Sequence, residues 1–198
     1  MSDDEGESRP VRVPGPRELT ATLDRPEGEA CVVACPPHPE FGGSRSDSRL
    51  TAVSDALAPA ACLRFDYGPW AEAEGERADG LAAVRWARER YDRVGLFGYS
   101  FGGGISLATA PEAEPDAVSA LAPASRLEGV DALAAMGRID CPVQVVYGER
   151  DTTAKWEPVV ERARGLGFTV EPMGADHFFV GQRPKVGERV ARFLRTHL

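Results

Sequence analysis

Residues 96–104 read LFGYSFGGG, an apolar run that breaks into one serine, Ser100, set among four glycines. Within it, residues 98–102 match G-x-S-x-G, and the match falls where a strand pattern passes directly into a helix pattern. A turn that sharp forces the serine into a strained backbone conformation and leaves no room for side chains two positions to either side. Gly98 and Gly102 fill those positions, while Gly103 and Gly104 are read as letting the helix pack closely on its neighbours. The turn lifts the hydroxyl clear of the sheet, toward a helix N-terminus whose first N–H groups have no partner.

Outward from this point the chain alternates short apolar runs with helical patterns. ELTATL (18–23), ACVVAC (30–35), ACLRFD (61–66), 93–98, 117–123, 143–148 and 168–173 read as strands. The second of these is apolar throughout, as in a strand buried on both faces. Helical spacing appears over 44–60, 76–91, directly after Ser100, over 127–137 and 155–165, and in KVGERVARFLRTHL (185–198). The βαβα order predicts an α/β fold with a mainly parallel, twisted sheet and helices on both faces. One domain is expected over 16–198, behind an acidic tail (1–15) expected to be disordered.

In open sheets of this kind the reactive loops gather at the carboxyl ends of the strands, and that rule sorts the polar residues. A serine hydroxyl is a weak nucleophile that needs a base, and the base needs an orienting acid. Of the three histidines, His197 sits beside the C-terminus and is read as solvated, and His38 follows the first buried strand. His177, in GADHFF, follows the strand at 168–173 and so falls on a loop at the reactive end. After the strand at 143–148, YGERD offers Glu149 and Asp151, of which the shorter Asp151 is chosen as the orienting acid. Asp176, next to His177 in the chain, is read as a loop or capping residue. The order Ser100, Asp151, His177 is the one expected behind such an elbow.

A tetrahedral oxyanion needs two backbone donors. Phe101, the residue after the serine, is expected to supply one. The other is expected from PPHPEFGG (36–43), where Pro39 has no N–H, so Glu40 is chosen first and Phe41 second. His38 is read as a residue that stiffens this loop.

Composition bounds the remaining possibilities. The 198 residues carry a formal net charge of -8, half of it from Asp3, Asp4, Glu5 and Glu7, and no basic stripe that would hold nucleic acid. Lys155 and Lys185 are the only lysines among 23 basic residues, a balance read as salt adaptation or a GC-rich source. No apolar run reaches the roughly 18 residues of a membrane span, and no secretory pattern opens the chain, so a cytoplasmic protein is expected. The cysteines, Cys31, Cys35, Cys62 and Cys141, lack a C-x-x-C spacing and read as buried thiols. Cys31, Cys35 and His38 would need a fourth ligand to hold zinc, and no metal or cofactor is expected.

HPEFGG, LRFDYG, GYSFGG, GERD and GADHFF together resemble the small, cap-less, dienelactone-hydrolase-like branch of the α/β-hydrolase superfamily, over nearly the whole chain after the tail. The resemblance implies a Ser100, Asp151, His177 triad on a largely parallel sheet. Two features depart from it: dienelactone hydrolases proper carry a cysteine nucleophile, and Asp66, Tyr67 and Gly68 replace their common arginine-glycine pair. Only residues 123–142 separate the strand after the elbow helix from the next, which leaves no room for a cap. The walls of an open site are expected from Phe41, Tyr67, Trp70, Tyr99, Trp156 and Phe178. A small-molecule acyl substrate is the expected partner, without nucleic acid or membrane, in a monomer or homo-oligomer. The leading expectation is a serine hydrolase for carboxylic esters, thioesters or small amides. The rivals are an acyltransferase with the same triad and a non-catalytic binding protein of this fold.

Overall fold

The computed structural model describes residues 7–198. Its strands are β1 (Ser8–Val13), β2 (Leu19–Asp24), β3 (Ala30–Cys35), β4 (Ala61–Phe65), β5 (Arg93–Tyr99), β6 (Ala117–Leu121), β7 (Val143–Gly148) and β8 (Thr169–Met173). Its helices are α1 (Ser48–Ala56), α2 (Glu74–Arg88), α3 (Phe101–Ala113), α4 (Ala132–Met136), α5 (Glu157–Gly165) and α6 (Arg183–His197), with a short 3-10 turn at Pro39–Phe41.

The strands form one sheet in the order β1-β2-β4-β3-β5-β6-β7-β8. The pairs β1/β2 and β2/β4 are antiparallel, and every pair from β4 to β8 is parallel. Parallel strands need helical crossovers, and those helices cover both faces. One apolar layer contains Ile105, Val84 and Val159 of α3, α2 and α5; the other contains Leu50 and Val53 of α1 with Val186, Val190 and Leu194 of α6. Helix α3 is buried along its first ten residues, so the segment that follows Ser100 lies in the interior.

The reading of residues 1–15 as a disordered tail is corrected over Ser8–Val13, which pair residue for residue with β2, from Ser8 opposite Asp24 to Val13 opposite Leu19. The segment escapes a hydrophobicity criterion because it is an edge strand with only Val13 buried, and an edge tolerates Pro10, which has no N–H to donate. Asp3, Asp4 and Glu5 lie outside the described residues.

The parallel arrangement brings the carboxyl ends of β3, β5, β7 and β8 to one edge. Cys35 pairs with Gly98, Tyr99 with Leu121, and Gly148 with Met173. The segments that follow carry His38 and Glu40, Ser100, Asp151, and Asp176 with His177. No helix among the described residues is long and apolar enough to cross a membrane.

Candidate active site

The turn from β5 into α3 gives Ser100 φ 57° and ψ −117°, a left-handed conformation that an L-residue adopts only when its surroundings impose it. Those surroundings are specific. The Ser100 N–H donates to Leu121 O at 2.8 Å, and Ser100 O accepts from Ala124 N at 3.1 Å and Gly104 N at 3.2 Å. A Cβ at Gly98 would stand 2.0 Å from Gly102 O, and one at Gly102 would stand 2.2 Å from Cys35 O. Both glycines are thus required by backbone crossing backbone at the elbow, which no side-chain adjustment can relieve.

Ser100 Oγ lies 2.9 Å from His177 Nε2, and His177 Nδ1 lies 2.6 Å from Asp151 Oδ2. An ionised carboxylate can only accept, so Nδ1 carries the proton toward Asp151 and the Nε2 lone pair faces the Ser100 hydroxyl. Asp151 is itself held: its Oδ1 accepts from Thr153 N at 2.8 Å and Ala154 N at 3.0 Å. Tyr99 donates from its hydroxyl to His177 O at 3.0 Å, fixing the backbone of that loop from beneath. His177 and Asp151 are 4% and 7% exposed, so little water competes for these bonds. Asp176 accepts from Phe178 N and Val180 N and shapes the turn around His177, the loop role assigned to it.

Phe101 opens α3, where an N–H has no partner within the helix, and stands directly after the serine. The other two candidate donors are engaged. Glu40 N–H donates to His38 Nδ1 at 3.3 Å, and Phe41 N–H donates to His38 O at 3.1 Å. Phe41 is therefore corrected as a donor, because its N–H closes the 3-10 turn. Glu40 keeps only a long, exposed bond to a side chain. The sequence reading missed that the imidazole of His38 competes for this N–H; a His two positions before it, at the cap of a proline-opened turn, is the signal that marks it.

The six residues expected as walls divide into three groups. Phe41 and Phe178 are exposed, and Phe178 meets the His177 ring edge-on at 5.3 Å. Trp70 packs on His38 at 4.4 Å and on Phe101 at 5.7 Å, while Tyr67 sets its ring edge-on to Phe101 at 5.8 Å with its hydroxyl turned into the interior. Tyr99 is corrected as a wall residue, and Trp156 is half-buried. Tyr99 is fully buried, and burial pushes its phenol well above the usual range. Trp156 stacks on Tyr147 at 4.4 Å and donates to Asp151 O at 3.0 Å, so it anchors the acid loop.

Two groups of residues that the sequence left unassigned hold this wall in place. Arg17, between β1 and β2, donates to Pro69 O and pairs with Asp79 and Glu76. Asp79 and Glu76 accept in turn from Gly68 N and Ala71 N at 2.9 and 3.1 Å, which fastens the loop that carries Trp70. Asp66 pairs with Arg45 and accepts from its N–H at 2.7 Å, and Arg64 donates to Arg45 O at 2.7 Å, tying down the far end of the loop at 36–43.

A serine hydroxyl bonded to a buried imidazole, itself bonded to a buried carboxylate, on a mostly parallel sheet, is an arrangement suited to acyl chemistry. Residues 67–170, just over half of the chain, match the model of the dienelactone hydrolase family. The chain belongs to that family. This hydrolase superposes on an α/β serine hydrolase homologue from Coxiella burnetii at 25% identity, with a TM-score of 0.82 over 98% of each chain. A lid-less α/β serine hydrolase from Xanthomonas campestris matches at 24% identity and a TM-score of 0.78 over 95% of each chain. Dienelactone hydrolase from Anabaena variabilis matches at 21% and a TM-score of 0.78, over 98% of this chain and 99% of its own, a likeness of fold. No curated protein matches the chain. Among the described residues of this family member, no three His, Cys, Asp or Glu side chains converge as a metal site. Burial drives the thiols of Cys35 and Cys62 up to about 12, far from the range of a reactive thiolate.

Proposed function

We propose that this hydrolase is a serine esterase that cleaves carboxylic esters through an acyl-enzyme on Ser100, with thioesters and small amides open to the same chemistry. Ser100 Oγ attacks the carbonyl carbon as its proton passes to His177 Nε2. The C–Oγ bond forms, and the carbonyl electrons move onto oxygen. Asp151 keeps the imidazole in the required tautomer and offsets its charge. The oxyanion accepts from Phe101 N–H, and from Glu40 N–H once that group gives up its long bond to His38. Collapse breaks the bond to the alkoxide, which takes the proton from Nε2 as it leaves. Water, deprotonated by the same nitrogen, then releases the acid and restores Ser100.

The observation that carries this reading is the continuous hydrogen-bonded path from Asp151 through His177 to a strained, glycine-flanked serine. A binding module of this fold would need neither the strain nor all three groups. A fluorophosphonate probe tests it: the wild-type chain is expected to label on one serine, and Ser100→Ala to lose the label. A folded wild-type protein that resists labelling at every salt concentration overturns the reading.

A further inference from the structure

Among the described residues, the large apolar side chains left exposed are Phe41 at 87%, Phe178 at 51% and Val180 at 72%. None lies on the backs of the helices. All three stand on the two loops that flank Ser100, Phe41 on the loop after β3 and the other two on the loop after β8. Scattered apolar residues on a surface need no explanation, but a set gathered at the mouth of one site marks where an apolar group is received.

The loop after β8 assigns that group. From His177 to Val180 the chain alternates inward and outward: His177 and Phe179 are buried, and Phe178 and Val180 face solvent. Phe179, fully buried, anchors the loop, and Asp176 Oδ1 ties down the Phe178 and Val180 N–H groups at 3.1 and 3.5 Å. The two outward side chains are therefore displayed by a fixed turn rather than left over by a loose one. Phe178 also touches the imidazole itself, edge-on at 5.3 Å between ring centroids.

This contact has a chemical meaning that rests on the proposed esterase reaction. The imidazole receives the Ser100 proton and returns it to the departing alkoxide, so the alcohol half of an ester must lie next to His177 Nε2. The exposed side chain against the His177 ring is Phe178, and Val180 faces outward two residues further along the same turn. We infer that the site takes esters whose alcohol half is an uncharged, apolar alkyl or aryl group, seated on Phe178 and Val180 while its oxygen faces His177. The first-formed product is then an apolar alcohol, which leaves outward across the open rim.

The test compares acetate esters of hexanol and of an ether-interrupted alcohol of equal length, which share an acyl half and differ in the polarity of the leaving group. Hexyl acetate is expected to have a kcat/KM about tenfold higher, because each methylene removed from water contributes roughly fourfold. In Phe178→Ser/Val180→Ser that ratio is expected to fall toward one, and Phe178→Leu is expected to restore most of it. Turnover of both esters with equal kcat/KM, or a preference that survives the double substitution, overturns the inference while leaving the esterase reading intact. So does concentration-dependent dimerisation that the double substitution abolishes without altering the preference, since the rim would then serve a second copy of the chain. Absence of both fluorophosphonate labelling and turnover would instead overturn the esterase reading itself.

Discussion

The two sides of the Ser100 elbow are built on different physics. On the β7 and β8 side, Asp151 and His177 are buried, His177 is bonded to Asp151 at 2.6 Å and to Ser100 at 2.9 Å, and backbone N–H groups of Thr153 and Ala154 occupy the other carboxylate oxygen. On the β3 and β4 side, the loop at 36–43 is exposed at Glu40, Phe41 and Gly42, and its candidate donor Glu40 N–H makes one bond of 3.3 Å. What holds that loop is ring packing of His38 with Phe41, Trp70 and Phe101 at 4.4 to 4.7 Å, backed by the Arg45–Asp66 pair. The β7 and β8 side tolerates little movement because its bonds are directional and dry. The side assigned to the oxyanion can exchange its weak bond for one to substrate at small cost.

Polar substitutions on the first side should therefore be the most damaging to turnover and the least visible in folding. Asp151→Asn keeps the shape and the two backbone bonds but presents an amide to His177 and favours the wrong tautomer; kcat on a model ester should fall by about 10⁴. The melting temperature should stay within a few degrees of wild type, since no volume changes. A loss below tenfold would show that His177 needs no acid, and the contrast between the two sides would fail.

The second side rests on charges set behind it. Asp24 of β2 accepts from Arg64 at 2.7 and 3.0 Å and from Ser54 and Ser8 at 2.6 Å each, and Arg64 passes this support on to Arg45 O. Burial pushes the Asp24 carboxyl up, but the hydrogen bonds from Arg64, Ser54 and Ser8, with the Arg64 charge, outweigh it and leave the group below the usual carboxylate range. A carboxyl depressed in the folded state stabilises the fold above its unfolded value, about 3.9, and that stability is lost as pH falls through the folded value. Urea denaturation is thus expected to show falling stability below about pH 4. In Asp24→Ala this acid dependence should shrink, and stability at pH 7 should drop by about 3 kcal/mol because the largely buried Arg64 loses its carboxylate and keeps only Arg45 O. An unchanged pH profile would mean that the network carries no net stability.

The same contrast sorts what the sequence discloses. The meeting of Ser100, Asp151 and His177 is readable because each follows a strand pattern, clearly apolar for β5 and β7, and the topology of a parallel sheet carries strand ends to one edge whatever the details of packing. Gly98 and Gly102 are readable because the elbow excludes a Cβ for backbone reasons alone. The β3 side is opaque, since which N–H stays unengaged depends on the rotamer of His38, and rotamers are settled by contacts with Trp70 and Phe101 from distant parts of the chain. Tyr99 is misread for a related reason: an aromatic at a strand end can turn inward to donate a hydrogen bond, as its hydroxyl does to His177 O. The strand Ser8–Val13 is hidden by its polarity, because an edge strand needs backbone pairing more than apolar side chains.

The sharpest comparison lies within His38, which brings both a ring and an acceptor nitrogen to the loop. His38→Phe keeps the packing on Trp70 and Phe101 and removes the bond to Glu40 N–H. His38→Asn keeps an oxygen placed to accept that N–H, as an Asx turn does, and removes the ring. Aromatic pairs contribute about 0.5–1.5 kcal/mol each, more than a long exposed hydrogen bond to a neutral acceptor. If packing holds this side, His38→Phe should retain kcat within about threefold, with Glu40 N–H freed for the oxyanion, and His38→Asn should lose about tenfold in kcat. KM should change less than kcat in both, because the oxyanion forms only in the transition state. The reverse order, with Asn close to wild type and Phe impaired, would show that the 3.3 Å bond orders the loop and that both sides of the elbow depend on hydrogen bonds.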